Sequence, residues 1–282
     1  MMAVDTSAAE TTHRVELETA FLDGRHRARR RLFLLRAGLN LCGVALFLLA
    51  WESVPWLFPS INPVLFPTPS VVFATFWPML TSGEIPVNIA VSVRRAATGF
   101  LLATVLGIAA GVFTARSRLT EYLTEPLLHG FRSVPVIALV PLSVLWFGIG
   151  EGAKVALVAT GAFFPIWIAT FIGVRDVNLV YLRSAACLGA GRLATMFLVV
   201  LPAALPLILA GLRQAMAISL IVLVAAELSG ATSGVAYMMS MGHQLFRVDI
   251  MFIGLMLLGT LGFAFDRLFV WLTRRLFPWY VN

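Results

Sequence analysis

A series of long apolar runs without charged residues dominates this sequence. They are Ala37–Trp51, Ala96–Ala115, Ser133–Gly150, Val155–Val174, Leu193–Leu212, Leu228–Phe246 and Ile250–Phe265. A helix needs about 20 apolar residues to cross the hydrocarbon of a bilayer. Hydrophobic residues make up 60% of the 282 residues and charged residues 12%, whereas a soluble domain is about half apolar and about a quarter charged. The sequence therefore predicts an all-α integral membrane protein.

Proline and turn-forming residues reduce these runs to six predicted spans. The run Leu193–Leu212 contains Pro202, and a proline removes a helix hydrogen bond and clashes with the preceding turn, so we expect a break there and a span that begins near Leu205. The run Leu228–Phe246 opens with turn-forming residues and is predicted to be a loop with a short helix. The proline-rich segment Trp51–Pro86 is predicted to lie at the outer interface. The six spans are 32–52, 90–115, 133–149, 154–174, 205–228 and 249–272.

Arginine placement predicts the orientation. Cytoplasmic loops of membrane proteins are enriched in basic residues, and here the basic tail and most of the other arginines fall on one side of the predicted spans. This pattern places both termini in the cytoplasm, with residues 1–31 as a basic cytoplasmic tail and residues 32–279 as the transmembrane domain. The net charge of +7 is explained in this way, and nucleic-acid binding is not expected.

No residue pattern indicates catalysis or a cofactor. The glycine-rich segment Gly148–Lys154 lacks the spacing of a phosphate-binding P-loop and is predicted to be a tight outer turn. The four histidines are scattered, so a metal site is not expected. The chain is predicted not to be an enzyme and to bind no cofactor itself.

Several polar residues lie within or beside the predicted spans. Glu227 is predicted to pair with Arg94, Arg95 or a loop N–H, with a gate at the outer mouth as the alternative. Arg213 is predicted to have a structural role, with attraction of an anion as the alternative, and Asp266 and Arg267 are predicted to form local ion pairs. Further candidates for a solute pathway are hydroxyl residues, which more often bond to their own helix: Ser143, Thr160 and Ser219.

The loop at about residues 175–205 interrupts the apolar pattern. It contains Arg183-Ser184-Ala185-Ala186, then Gly189, nine further residues, Val199 and Leu201-Pro202. We predict a short helix, a tight bend at Gly189 and a second short helix. An ordinary solvated connector is the alternative.

This spacing resembles the loop by which the membrane subunit of an ATP-binding-cassette (ABC) importer binds its ATPase. Other segments resemble the sulfonate/nitrate/taurine branch of this family, with taurine-type members the most similar. The resemblance covers about Leu32 to Trp279, and Arg183 stands where the family has a glutamate. The segments are Phe66–Ser70, Ser92–Arg95, Arg132–Pro135, Leu145–Gly150, Gly211–Arg213, Ala226-Glu227 and Gly234–Tyr237.

The resemblance implies a type I ABC importer permease fold in a bacterial inner membrane. It implies a homodimer of permease chains, two ATP-binding subunits that hold ATP and Mg²⁺, and a substrate-binding protein. The solute would be a small anion, with taurine or an alkylsulfonate ahead of nitrate, bicarbonate or a pyrimidine precursor. The ATPase would contact Arg183, Ser184, Ala185, Gly189, Arg192, Leu201 and Pro202.

Two other classes of function predict different sequence patterns. An ion-gradient-driven secondary transporter would show intramembrane carboxylates or broken helices in two related halves, and no such halves are visible. A membrane enzyme or scaffold would show a polar cluster at one membrane face, which is also not evident.

Overall fold

The computed structural model describes residues 35–278 except residues 37, 61 and 117. The predicted basic tail, residues 1–31, lies outside the described residues. Every regular element in the described part is helical, so the all-α prediction is confirmed. The longer elements are α1 Gly38–Leu57, α2 Pro69–Thr81, α3 Glu84–Ala115, α4 Arg118–Arg132, α5 Val140–Phe147, α6 Glu151–Arg175, α7 Leu179–Cys187, α9 Leu201–Leu228, α10 Val235–Gln244 and α11 Val248–Leu276. The four-residue helix α8 spans Arg192–Thr195.

Five helices in the described part are long and apolar enough to cross a membrane. They are α1, α3, α6, the continuous helix Arg192–Leu228 that contains α9, and α11. They correspond to five of the six predicted spans. The remaining prediction, residues 133–149, coincides with a shorter apolar helix, Val136–Phe147.

That shorter helix has four residues in 3-10 conformation followed by the eight of α5. At about 2.0 and 1.5 Å per residue it is roughly 20 Å long, less than the ~30 Å of hydrocarbon. Pro135 precedes it and Gly148, at φ 75°, follows it. Before it, on the cytoplasmic side of the predicted topology, α4 is an amphipathic helix that the apolar runs did not predict.

The described chain divides into two compact parts, residues up to Ser70 and residues from Val71 onward. In the first part, the carboxylate of Glu52 accepts hydrogen bonds from the backbone N–H and the hydroxyl of Ser70, at 3.1 and 2.7 Å. The ring of Trp51 lies edge-on to Phe66, with 6.5 Å between the ring centroids. These contacts connect α1 to the segment that follows it.

In the second part, α3, α6 and α9 form a closely packed layer with α6 in the middle. Glycines of α3 allow the backbones to approach: a Cβ added at Gly99 would lie 2.6 Å from Val158, and one at Gly107 would lie 2.9 Å from Ile166. On the other face of α6, a Cβ at Gly161 would lie 2.8 Å from Val222 of α9. Small residues at such spacings are typical of packed membrane helices, where close backbone contact replaces the hydrophobic effect.

The predicted break at Pro202 is wrong. The helix runs without interruption from Arg192 to Leu228, and a π-helical turn at Met196–Val200 precedes Pro202. In a π turn each hydrogen bond reaches one residue further back than in an α-helix, as in the bond from the Leu201 N–H to the Met196 carbonyl. This altered register directly before Pro202 accommodates the missing N–H of the proline within the continuous helix.

Candidate functional site

The segment between α6 and α9, residues 176–200, forms an exposed bend that we call the coupling segment. The Asn178 side chain caps α7 by accepting a hydrogen bond from the Val180 N–H at 2.9 Å. Beyond α7, Gly189 has φ 75°, and the Ala190 N–H donates to the Ala185 carbonyl at 3.0 Å. This is a Schellman motif, which requires a left-handed residue and therefore favours glycine. A short helix and a bend at Gly189 were predicted, and the structure has both. The predicted second short helix is instead the beginning of the continuous helix Arg192–Leu228.

The coupling segment exposes several large apolar side chains. Leu188, next to the bend, is 87% exposed, and Leu198 is 76% exposed. Other large side chains that are mostly exposed there are Leu179, Val180, Tyr181, Leu193 and Phe197. Exposed apolar side chains of this kind are characteristic of a surface that another protein or lipid covers.

The seven predicted coupling residues differ in exposure. Arg183, Ser184, Gly189, Arg192 and Pro202 are exposed, whereas Ala185 is buried and Leu201 is half-buried. Neither arginine forms an ion pair with a described residue. Both guanidinium groups are therefore accessible to a partner.

The base of the coupling segment is packed against the ends of two spans. Val174 at the end of α6 and Val200, Ala204 and Ile208 in the helix of α9 form a buried cluster, against which Val177, Leu182 and Met196 pack. Arg175, the last residue of α6, forms an ion pair with Glu121 of α4 and lies over the ring of Phe171. The bend is thus packed against α6 and α9, and the last residue of α6 forms an ion pair with α4.

At the other end of the layer, Arg95 and Glu227 form a buried ion pair. Each is 1% exposed, and Arg95 Nη1 donates to Glu227 Oε1 at 2.9 Å. Arg95 also donates to Glu151 at 2.8 and 2.5 Å from its Nε and Nη2 atoms, and to the Ser233 carbonyl at 2.6 Å. One guanidinium therefore connects α3, the start of α6, the end of α9 and the turn after it. We call this group the outer ionic cluster.

The outer ionic cluster also caps α10. The Gly234 N–H donates to Asn88 Oδ1 at 2.7 Å, the Val235 N–H to Ser92 Oγ at 2.9 Å, and the Ala236 N–H to Glu227 Oε2 at 3.0 Å. Because these N–H groups lie at the beginning of α10, no carbonyl within the helix is available to accept from them. Glu227 thus pairs with Arg95, as predicted, and with an N–H in the first turn of α10 rather than with the predicted loop N–H.

A second ion pair lies at the beginning of α11. Arg247 Nη2 donates to Asp249 Oδ2 at 2.6 Å, and Thr75 of α2 donates to the same oxygen at 2.7 Å. The hydrogen bond to Asp249 raises the pKa of Arg247 above its ordinary value. The ion pair connects the turn after α10 to the first turn of α11.

The predicted pathway hydroxyls are engaged by their own helices. Ser143 donates to the Val140 carbonyl at 2.7 Å, Thr160 to the Ala156 carbonyl and Ser219 to the Ala215 carbonyl, both at 2.8 Å. Ser143 and Ser219 are also buried within the chain.

The remaining predicted ionic residues are more exposed. Arg94 reaches Glu151 at 3.3 Å and its side chain is 64% exposed. Arg213 of α9 pairs with Asp266 of α11 at 2.8 Å, and Arg267 lies 4.9 Å from the ring centroid of Phe263. No cluster of three or more potential metal ligands occurs among the described residues.

Sequence reasoning missed Glu151, Ser92 and Asn88 as members of the outer ionic cluster. Glu151 was assigned only to an outer loop, and its position at the start of α6 opposite Arg95 depends on tertiary packing. Ser92 was noted within Ser92–Arg95 but given no role. The available signal was that Ser92 and Asn88 lie about one and two helical turns before Arg95, on the same face of the helix.

Comparison with known proteins identifies the family. Residues 103–278 match the model of the binding-protein-dependent transport system inner membrane component. A putative aliphatic sulfonates transport permease of Bacillus subtilis (strain 168) is 37% identical over 83% of this chain and 85% of its own. The taurine transport system permease of Escherichia coli (strain K12) is 31% identical over 86% of this chain and 90% of its own.

Solved structures show the same fold. An inward-facing form of the MetNI methionine ABC transporter has a TM-score of 0.55 at 18% identity, over 70% of this chain and 99% of the other. An amino acid ABC transporter has a TM-score of 0.57 at 14% identity, over 72% of this chain and 96% of the other.

Proposed function

This chain belongs to the binding-protein-dependent family of ABC importer permeases, and we propose that it conducts a small anionic solute, with taurine or another alkylsulfonate as the first choice. Nitrate, bicarbonate and a pyrimidine precursor are the other candidate solutes. We further propose that two copies of the chain form the pathway, that two ATP-binding subunits bind on the cytoplasmic side, and that a substrate-binding protein delivers the solute from outside. Permeases of this family are not enzymes; ATP and Mg²⁺ would reside on the ATP-binding subunits.

The observation that carries the proposed ATPase contact is the exposed, apolar and well-anchored coupling segment. Leu188 lies beside the bend and is 87% exposed, where it can enter a groove of a partner. The two exposed arginines flank it in sequence. With Arg183 in place of the family's glutamate, the ATPase groove would present a carboxylate or carbonyl oxygens at this point.

The packing of the spans explains how movement of the coupling segment would reach the pathway. The segment is packed onto the inner ends of α6 and α9, and the outer ionic cluster joins the outer ends of α3, α6 and α9. Between the two ends the helices are in close contact through glycines. A displacement at the inner end would therefore move this layer as one body, as in shear and rigid-body transitions.

ATP would act by favouring one of two states of the pathway. When the ATPase dimer closes, the two coupling segments would approach each other and the pathway would change from inward-facing to outward-facing. Such coupling requires ATP and the loaded binding protein each to bind one state more tightly than the other.

A paired substitution tests the coupling surface. Leu188→Asp places a charge in the proposed interface, whereas Leu245→Asp places the same charge on a leucine that is 64% exposed in the turn between α10 and α11. Loss of an apolar anchor costs about 2 kcal/mol or more at an interface. We therefore expect Leu188→Asp to lower the affinity for the ATPase about 30-fold, and Leu245→Asp to leave it unchanged.

The measurement is co-purification with the ATPase in detergent, followed by titration of the ATPase onto immobilised permease. Equal binding of the ATPase by the two variants would refute the assignment of the coupling segment.

A further inference from the structure

Two grooves flank the line of contact between α9 and α11, and their chemistry differs. One, of about 360 Å³, is lined almost wholly by apolar side chains, among them Phe100, Leu101, Met216 and Leu268. The other, of about 550 Å³, is lined by five polar or charged side chains together with small and apolar ones. The five are Arg213, Gln214, Asp266, Thr273 and Arg274. We call the second one the polar groove.

The guanidinium of Arg213 is held in a fixed orientation in the polar groove. Its Nε donates to Asp266 Oδ1 at 2.8 Å and its Nη2 to Asp266 Oδ2 at 3.1 Å, a bidentate arrangement that fixes the plane of the group. Its Nη1 donates to no other described residue, and the Arg213 side chain is 57% exposed. The groove holds two guanidinium groups and one carboxylate, so its net charge is positive.

The position of Arg213 within its span argues against a lipid environment for this residue. Arg213 lies fifteen residues before Leu228, the outer end of α9, and Asp266 lies eighteen residues after Val248, the outer end of α11. At 1.5 Å per residue these separations are about 22 and 27 Å, so Arg213 lies inside a hydrocarbon layer of ~30 Å and Asp266 lies close to its inner boundary. Charged side chains at such depth face a protein interior or a water-filled cavity. The polar groove therefore faces water or a second chain, whereas the apolar groove is compatible with lipid.

We propose that the polar groove is the inner part of the solute pathway and that Arg213, oriented by Asp266, contacts the anionic group of the solute. This inference rests on the proposed function of the chain as a conductor of an anion, and it names the residue and the ligand class. The free edge of the Arg213 guanidinium and the amide of Gln214 are hydrogen-bond donors that suit a sulfonate or a similar oxyanion. Asp266 acts as a positioning residue because it orients the Arg213 guanidinium. One carboxylate does not cancel the charge of two guanidinium groups, so the groove stays positive.

Thiol labelling tests this proposal without any transported solute. In a background of Cys42→Ser and Cys187→Ser, Gln214→Cys places a thiol in the polar groove. Leu101→Cys, on a leucine that is 60% exposed and lines the apolar groove, is the matched control. The complex with its ATPase, in lipid nanodiscs without nucleotide, is treated with methanethiosulfonate reagents that carry either a sulfonate or a trimethylammonium group. Each rate is divided by the rate of that reagent with a free thiol.

We expect the Gln214→Cys thiol to react at least tenfold faster than the Leu101→Cys thiol. We also expect a preference of about fivefold for the sulfonate reagent, since a unit charge several Å away changes the local energy by about 1 kcal/mol at intermediate dielectric. Adding Arg213→Gln should abolish this preference. A Gln214→Cys thiol that is as protected as the control, or that shows no preference for the anionic reagent, would overturn the proposal.

A transport measurement separates a pathway role from a structural one. In proteoliposomes with ATPase and binding protein, Arg213→Gln should lower taurine uptake per ATP hydrolysed about tenfold, since one charge-assisted hydrogen bond to the solute is lost. The exchange of Arg213→Asp with Asp266→Arg should restore the ion pair and thermal stability but not uptake. If the exchange restores uptake as well, the pair is only structural. Failure of the Leu188→Asp test would instead count against the proposed ATPase contact.

Discussion

At the scale of single residues, Arg94 and Arg95 show how position decides the energetic role of a charge. The two are neighbours in sequence, yet the Arg95 side chain is 1% exposed and that of Arg94 is 64% exposed. Arg95 has two carboxylates and a carbonyl as partners, whereas Arg94 has one carboxylate contact at 3.3 Å. A buried charge is stable only when its partners compensate for the loss of water. Of the two arginines, Arg95 is therefore the one on which the outer ionic cluster depends.

Methionine substitution of each arginine measures this difference. Arg95→Met leaves Glu227 buried without its cation, which should lower the free energy of unfolding by about 3–5 kcal/mol. Arg94→Met removes only an exposed pair, which is expected to cost less than about 1 kcal/mol. Thermal unfolding of the two variants and the unsubstituted protein in the same detergent provides the comparison. Similar melting temperatures for both variants would contradict the role given to the cluster.

The sequence predicted part of this cluster and missed the rest for a physical reason. A carboxylate near the end of an apolar span requires a cation, so the sequence alone associates Glu227 with the two arginines. Ser92 and Asn88 are neutral, and a neutral polar side chain in a membrane helix commonly bonds to its own backbone. Their bonds to the first N–H groups of α10 depend on the position of that helix, which no local pattern specifies.

At the scale of elements, the apolar runs predicted where the helices lie more accurately than where they begin and end. Runs without charge marked five long helices because burial in lipid demands apolar side chains over the full crossing. α3 begins at Glu84, six residues before the predicted start. A helix can extend beyond the hydrocarbon, and its residues there need not be apolar. Pro202 was predicted to break the helix because proline removes a helix hydrogen bond. The prediction was wrong because the π turn that accommodates this proline has no distinct amino-acid composition by which it could be recognised.

The glycines of α3 provide a prediction at this scale. A Cβ at Gly107 would lie 2.9 Å from Ile166, whereas nothing lies within 4 Å of a Cβ at Gly259 in α11. Gly107→Ala should therefore lower the free energy of unfolding by about 1–3 kcal/mol through overpacking. Gly259→Ala should leave it unchanged or raise it by up to about 1 kcal/mol through helix propensity.

Denaturant titration in mixed micelles measures both alanine variants. A stabilising effect of Gly107→Ala would show that α3 and α6 are not in close contact at that position.

Across the whole molecule, the described chain combines an exposed bend at one end with a closely packed layer of helices. The coupling segment packs against the end of α6 and the beginning of the helix that contains α9, and the outer ionic cluster joins the opposite ends of α3, α6 and α9. The glycine at the bend was evident from the sequence, and the contact of this segment with an ATPase stays a prediction. The close packing of the layer could not be predicted in this way, because it depends on which small residues face one another across α3, α6 and α9.

We propose that this permease moves solute only when an ATPase is bound to the coupling segment. The most direct test is uptake of labelled taurine into proteoliposomes that contain the permease, with and without the ATPase, in the presence of loaded binding protein. We expect uptake only when the ATPase and internal ATP are both present, and loss of that uptake with Leu188→Asp. Full-rate uptake or counterflow by the permease alone would contradict the claim and favour an ion-gradient-driven transporter.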